Sequence, residues 1–512
     1  MYKIEWDKET GGVLLSSKVS KETLGISPRP VWFEELDLLG LDKLGYVYPQ
    51  SEAPLMWAVN KQYFYRGDLV FQAKGANLYD SATITIMPGF EDLELIPIDV
   101  KKMIERNRDI MFLLESEAIE FIRETFFIYS TASKKFNEIK ANQLDFEAIV
   151  ASIEQKQKRK MAIIKEECDS FDVMPLDIAE QQGKQRLLAT KIDVFLASFS
   201  GGKDSQVVLD LCTRALPPNV FEVIYSDTGY ELPSSLNLYE DVKRHYSALY
   251  PGLKFSTARN HASVLSYWDK IGTPSDTHRW CCSVMKTAPL YRSLKVSGTN
   301  KQAKVLTFDG VRAEESARRG NYERMGKGVK HSTVVNAHPI LYWNTSEIFL
   351  YLFSYALPIN NAYRLGKSRV GCITCPYSSE WDDMIVSRCY GAELEPFISR
   401  IYNWSKQEGV KDLEVYLKER KWKFRASGKF MKISTQVNFK NSPNNFYAQV
   451  KSAKLPITAW LPVLGEFTFF NTSNGFCGDI KYKNTVYSFE VKGDGTDYTC
   501  LLYTSDAADD LT

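Results

Sequence analysis

The segment that most constrains this chain is VFLASFSGGKDSQVVLDLCTRA, where an apolar run enters two glycines and leaves them as an amphipathic helix. A strand, a loop and a helix in that order belong to βαβ units around a parallel sheet. Gly201 and Gly202 free the backbone for positive φ and for close approach to an anion, because no Cβ intervenes. The loop amides would then face the ligand, with Ser198 at the strand end. Ser200 and Ser205 would add hydroxyl donors, Lys203 an open point charge, and the helix its positive end. That set suits a phosphate or pyrophosphate. The spacing matches neither G-x-x-x-x-G-K-[ST] nor G-x-G-x-x-G, and the alternative is a plain glycine turn.

Alternating strands and helices continue through VFEVIYSDTG and KVLTFDGVR, so residues 191–385 read as one α/β domain with a doubly wound parallel sheet. Residues 1–98 carry short β-type runs such as QYFYRGDLVFQA and read as a β-rich module. Residues 99–190 change to helical spacing and read as a helical connector, with Lys156 to Lys160 on a solvated face. A helical extension is expected over 386–430 and a β-rich basic region over 431–499. The end CLLYTSDAADDLT resembles a translated sequencing adapter. Residues 500–512 are therefore expected to stand outside the fold, with the chain truncated there.

Composition limits the partners. Lys plus Arg is 64 against 63 for Asp plus Glu, so nucleic-acid affinity would need a local patch. From Arg420 to Gly465 there are nine Lys or Arg and no acid, interleaved with aromatics, which offers such a patch or simply a basic surface. No window is long and apolar enough for a membrane helix and the start is not a signal peptide, so a cytoplasmic protein with no membrane partner is expected.

Nine cysteines in a reducing compartment point to metal or redox chemistry before disulfides. Cys281 and Cys282 are adjacent, and Cys372 and Cys375 form a CxxC pair. Four thiolates from two segments can complete a metal site. An iron–sulfur cluster, zinc and plain thiols remain open. Cys168, Cys212 and Cys389 read as small core residues, and His278 beside the first pair is the one histidine worth following.

SGGKDS resembles the pyrophosphate loop of the PP-loop ATP pyrophosphatase superfamily, and the motifs after it are similar to those of its phosphoadenylyl-sulfate reductase family. The resemblance implies an adenine nucleotide alpha hydrolase-like fold. IYSDTGYELP resembles the family's strand-end motif and would bring Asp227, Thr228 and Gly229 near a nucleotide. DGVRAEESARR resembles its arginine loop, where Arg312, Arg318 and Arg319 would hold sulfate or phosphate by forked hydrogen bonds. HPILYWNTSEIFLYL and LPINNAYRLGKSRVGCITCP resemble its closing helix and cysteine loop. The CC and CxxC pattern is similar to that of adenylyl-sulfate reductases and implies a four-iron four-sulfur cluster on Cys281, Cys282, Cys372 and Cys375, with zinc the alternative.

The resemblance implies an enzyme that binds ATP or adenylyl sulfate, with Lys203, Asp204 and Arg312 as its catalytic set and Asp204 holding Mg²⁺ or the loop itself. Adenylylation-driven sulfur transfer, fed by a donor protein such as a cysteine desulfurase, is the first expectation. Reduction of phosphoadenylyl or adenylyl sulfate is the second. The attacking cysteine of those reductases lies in an ECGLH-type motif that this chain lacks, and Cys389 and Cys477 have other neighbours. A nucleotide-gated, nucleic-acid-binding subunit without catalysis is the third.

Overall fold

A computed structural model of the chain describes residues 2–138, 153–165, 171–182, 186–187, 192–296, 299–327, 333–424, 436–441, 445–451, 457–459, 466–482, 485–493 and 497–504. Residues 1–423 form one compact unit and residues 424–512 another.

The first unit begins with a ribbon of β1 (Lys3–Asp7) and β2 (Gly12–Ser16). An antiparallel sheet follows, of β3 (Arg29–Val31), β4 (Met56–Val59), β5 (Gln62–Tyr65), β6 (Asp68–Gly75) and β7 (Ala82–Ile86), in that order. The expected β-rich module is thus present, with one added helix at Phe33–Leu39. Val100–Glu138 is a single long helix, as the periodicity predicts. The rest of the predicted helical connector differs: β8 (Met161–Lys165), β9 (Phe171–Pro175) and β10 (Arg186–Leu187) form a small sheet in the order β10-β8-β9. MAIIK and FDVMP are short apolar runs too brief for a stable helix, and they bury Ala162 and Ile164 against Ala179 instead.

The central sheet contains β11 (Val194–Phe199), β12 (Glu222–Asp227), β13 (Lys254–Arg259), β14 (Val305–Phe308), β15 (Met325–Lys327) and β16 (Val334–Ala337), in the order β13-β12-β11-β14-β16-β15. Every pairing is parallel except that of β15 with β16. Both faces are covered, as a parallel sheet requires. Phe195, Ala197 and Phe199 join one core, while Leu196 joins another with Ile224, Ala258 and Val305. The period of two along β11 therefore feeds both sides.

The helix Lys203–Ala215 buries Val207, Val208, Leu209 and Leu211, each contributing about 1.5–3 kcal/mol of apolar transfer energy. The long helix and the helix Thr345–Ser354 pack against it. Beyond the sheet come helices Glu380–Cys389, Gly391–Gln407 and Leu413–Lys418, the first of which starts inside the segment assigned to the α/β domain.

The second unit is an antiparallel sheet of β17 (Gln436–Asn441), β18 (Asn445–Lys451), β19 (Glu466–Thr472), β20 (Gly475–Tyr482), β21 (Thr485–Gly493) and β22 (Tyr498–Thr504). Its order is β17-β18-β22-β21-β20-β19. Residues 500–504, expected to stand outside the fold, continue β22 between β18 and β21. The segment CLLYT is a run of good strand formers, and Cys500 and Leu502 pack on the unit's small core. Residues 505–512 lie outside the described residues. Among the described residues no helix is long and apolar enough to cross a membrane.

Candidate nucleotide site and cysteine cluster

β12 and β14 flank β11 on opposite sides, so the chain reverses its order there, the point at which open parallel sheets generally place a ligand crevice at their carboxyl edge. Three loops meet at that edge: 200–205 after β11, 227–231 after β12 and 309–312 after β14.

The 200–205 loop is built around one left-handed glycine. Gly201 has φ of +74°, while Gly202 takes extended backbone at −92° as the helix N-cap. Only the first of the two expected positive-φ positions is thus realised. Ser205 closes the loop, since its hydroxyl donates to the Gly202 carbonyl at 2.8 Å and accepts from the Ser200 amide at 3.2 Å. Ser200 is exposed and its hydroxyl donates to Ser205 Oγ at 3.2 Å, while Ser198 lies half-buried in β11. Two residues missed by the sequence reading brace the loop: Asn360 donates to the Gly201 carbonyl at 2.9 Å, and the Tyr363 hydroxyl accepts from the Lys203 amide at 3.0 Å. The doubled asparagine in LPINNAYR was the available signal.

Lys203 corrects an expectation. Its side chain is 3% exposed, its ammonium pairs with Asp204 at 3.0 Å, and it lies over the Tyr363 ring. It is not an open charge in this state, because the adjacent carboxylate outcompetes water in a buried setting. Arg312 corrects a second. It is equally buried, and donates to Asp204 at 2.6 Å, to Glu314 at 2.8 Å and to the Trp343 carbonyl at 3.3 Å. Its fork is committed to the protein, so it positions Asp204 and does not offer itself to an oxyanion. Asp204 is paired with both cations, which ties the first turn of the helix to the 309–312 loop. Burial works against its charge, but Lys203 and Arg312 hold its carboxyl below the usual range. Gly310, also missed, makes this approach possible: a Cβ there would lie 2.8 Å from the Asp204 carbonyl carbon. The DG turn of FDGVR was its signal.

Arg318 is exposed, whereas Arg319 pairs with Glu315 on its own turn. Arg319 also faces Arg369, and burial together with that like charge lowers its affinity for a proton. These two are therefore the arginines left at the surface of the 309–319 segment. Asp309 is paired with His338 Nδ1 at 2.6 Å.

In the 227–231 loop, Asp227 accepts from the Gly229 amide at 3.0 Å, and Gly229 takes φ of +73°. Thr228 gives its amide and hydroxyl to Glu231, a half-buried carboxylate that the sequence reading passed over. Thr228 and Gly229 also line a cavity of about 250 Å³ with Arg259, Asn260, Met285 and Phe397. None of its walls comes from 200–205.

The cysteines gather beside this loop. Cys372 forms a bridge with Glu231, and Cys281 and Cys282 open a π-helical turn, Cys282–Thr287, that packs on β12 and β13. Hydrogen bonding to Cys282, then burial and the nearby Cys372 and Cys375, push the Cys281 thiol far up. Burial pushes the Cys372 thiol up to about 12, with Cys375 and Glu231 adding to it and Lys286 opposing. The four sulfurs thus lie within mutual electrostatic reach, and Arg279 donates to Cys282 at 3.6 Å. Among the described residues no three or more His, Cys, Asp or Glu side chains are gathered at metal-holding distance. Four sulfurs from two segments, with Arg279 and Lys286 as nearby cations, are the chemistry a thiolate-bound centre would need, but the described side chains are not brought to that distance. His278 is exposed. Cys212 is buried as expected, but Cys389 is exposed at the end of its helix, and Cys168 lies outside the described residues.

The expected basic patch is also altered. Lys423 is 1% exposed, Arg420 is 14% exposed, and both pair with Asp383, while Lys421 pairs with Glu419. Arg420 and Lys423 are thus committed to an acid within the first unit, whereas Lys421 is partly exposed and Lys440 and Lys451 are exposed. Residues 425–435 lie outside the described residues.

The family model of the phosphoadenosine phosphosulfate reductase domain matches residues 195–378. Two uncharacterized proteins of Methanocaldococcus jannaschii are similar to this chain. One is 34% identical over 184 residues, covering 35% of this chain and 36% of the relative, and the other is 31% identical over 195 residues, covering 38% and 44%. The chain thus spans less than half the length of either relative. An adenosine 5'-phosphosulfate reductase of Staphylococcus haemolyticus is 24% identical over 185 residues, covering 36% of this chain and 70% of that protein. Among solved structures, the phosphoadenylyl-sulfate reductase of Candida auris, a phosphate complex, is similar over 35% of this chain and 80% of its own at 21% identity and a TM-score of 0.27.

Proposed function

We propose that the phosphoadenosine phosphosulfate reductase domain at residues 195–378 binds an adenine nucleotide with its phosphates at the 200–205 loop and activates an acceptor by adenylylation for sulfur transfer. The single observation that carries this reading is the placement of the loop: Gly201 with its left-handed turn stands at the reversal point of the sheet, braced by Asn360 and Tyr363. The helix behind it directs a positive dipole end at the same point. In the reaction an acceptor oxygen attacks the α-phosphorus of ATP and pyrophosphate leaves, and the sulfur nucleophile then displaces AMP. Exposed Ser200 and the loop amides stabilise charge on the departing pyrophosphate. Asp204 fixes the loop through Lys203 and Arg312, and Lys203 turns to the ligand only as the phosphates draw it from Asp204.

Cys281, Cys282, Cys372 and Cys375 would hold an iron–sulfur cluster, which when bound supplies electron transfer or a sulfur-handling surface beside the nucleotide. Reduction of adenylyl sulfate is the second reading, favoured by similarity to the staphylococcal reductase over the same third of the chain. Incubating the anaerobically reconstituted protein with ATP and with adenylyl sulfate separates the readings. Pyrophosphate release supports activation, sulfite release supports reduction, and neither leaves a nucleotide-binding role alone.

A further inference from the structure

The brace of the 200–205 loop is itself held from outside the matched domain. Asn360 and Tyr363, which bond the Gly201 carbonyl and the Lys203 amide, belong to the helix Asn361–Arg364 and its cap. Arg364, the next residue, reaches into the N-terminal β-rich module. Its Nε donates to Glu34 at 2.5 Å and its Nη1 to Glu52 at 2.6 Å, and its guanidinium lies over the rings of Trp32 and Phe33. Glu52 is 92% exposed and its pairing is screened, whereas Arg364 and Glu34 are 14% and 20% exposed, so Glu34 carries most of this tie. Two residues further on, Gly366 takes φ of +95° against Glu35, where a Cβ would lie 2.6 Å from the carboxyl carbon. Glu35 is fully buried and has little room to yield. Both arms of the Arg29 fork bind it at 2.6 Å, and the Tyr63 hydroxyl donates to it at 2.6 Å. Glu34 and Glu35 stand in the first turn of one helix, Phe33–Leu39, so a single turn of the module grips the chain directly after Tyr363.

Resting on the reading that the 200–205 loop grips nucleotide phosphates, we propose that Arg364 is a positioning residue for that loop, and that the N-terminal module sets how tightly the phosphates are held. Arg364 acts through Tyr363, whose hydroxyl fixes the Lys203 amide at the first turn of the helix Lys203–Ala215. Fixing the loop beforehand removes an ordering cost that binding would otherwise meet. A second tie to the module, between Lys418 and Asp80 at 2.8 Å, runs to the helix Leu413–Lys418 and serves as a control.

The test is a double-mutant cycle of Arg364→Met and Tyr363→Phe in the full chain, read as affinity for ATP and for adenylyl sulfate, with thermal unfolding alongside. Arg364→Met is expected to weaken nucleotide binding about fivefold or more. Arg364→Lys, which keeps one ion pair without the fork, should recover part of it. Both substitutions break the same series of contacts, so the double variant should bind about as weakly as the weaker single variant and well short of the product of two losses. Glu34→Gln should weaken binding in the same direction and serves where Arg364→Met fails to fold. Lys418→Met should leave affinity unchanged. Wild-type affinity in both Arg364→Met and Glu34→Gln, losses that multiply in the double variant, or an equal loss in Lys418→Met would overturn the proposal while leaving the reading of the loop intact. A wild-type chain that binds neither nucleotide contradicts that reading first, and this inference with it.

Discussion

Arg312 donates from Nε to the Asp204 carboxylate across 2.6 Å, joining the loop after β14 to the loop after β11 inside the protein. This contact fixes the first turn of the helix Lys203–Ala215 from the other side of the sheet's reversal point. It also explains why two of the charged residues most suggestive in the sequence are turned inward.

Removing that guanidinium leaves Asp204 with Lys203 as its remaining cation and the exposed Glu314 with none. Arg312→Met is therefore expected to lose about 1–3 kcal/mol of stability. Arg312→Lys should recover part of it, since a single ammonium cannot reproduce the fork. Urea unfolding of the two variants beside wild type measures both.

Gly310 packs its α-carbon face on the Asp204 backbone, where a methyl group would lie 2.8 Å from the carbonyl carbon. Gly310→Ala should push the two loops apart and weaken nucleotide binding about tenfold or more, corresponding to about 1.4 kcal/mol. Gly326→Ala makes a control, because a Cβ there meets no atom within 4 Å. Fluorescent-nucleotide titration of the pair checks the difference.

Glu347 caps the helix Thr345–Ser354 by accepting the Asn344 amide, and burial raises its carboxyl from 4.5 to about 7. The folded chain therefore holds a proton that the unfolded chain releases between these values. Its contribution to stability is present in full below pH 4.5 and is lost as pH rises through about 7. Glu347→Gln should flatten that slope relative to wild type in unfolding midpoints taken from pH 5 to pH 8. An identical slope in both would remove Glu347 as its source.

Cys372 and Cys375 close the sulfur set beside Glu231. Anaerobic reconstitution with iron and sulfide should give a brown protein with broad visible absorption, lost when both become Ser. A colourless wild type that takes up zinc instead would assign the four sulfurs to zinc.

The strand, glycine loop and helix were legible because their signal is local: each residue's conformational preference agrees with its neighbours over one stretch. The β11–β14 alternation was legible for the same reason. What a buried charge pairs with is not local. Nothing near Arg312 in the chain announces Asp204, 108 residues earlier, so its fork read as open to an anion. Lys423 read as part of a basic surface for a like reason, since its partner Asp383 lies 40 residues away. Asn360, Tyr363 and Gly310 act on the backbone of a distant loop, a role that residue type alone does not reveal. The strands at 161–187 were missed because charged flanks hid short apolar runs that are stabilised by pairing with each other and packing on Ala179.

The central claim is that the 200–205 loop grips the phosphates of an adenine nucleotide, and calorimetric titration of wild type and Gly201→Val with ATP and with adenylyl sulfate tests it most directly. A β-branched residue at φ of +74° cannot keep this turn. The account predicts that wild type binds at least one of the two nucleotides, that excess pyrophosphate competes, and that Gly201→Val weakens binding about tenfold or more while remaining folded. Wild-type protein that binds neither nucleotide, or a Gly201→Val variant that binds as tightly as wild type, would contradict it.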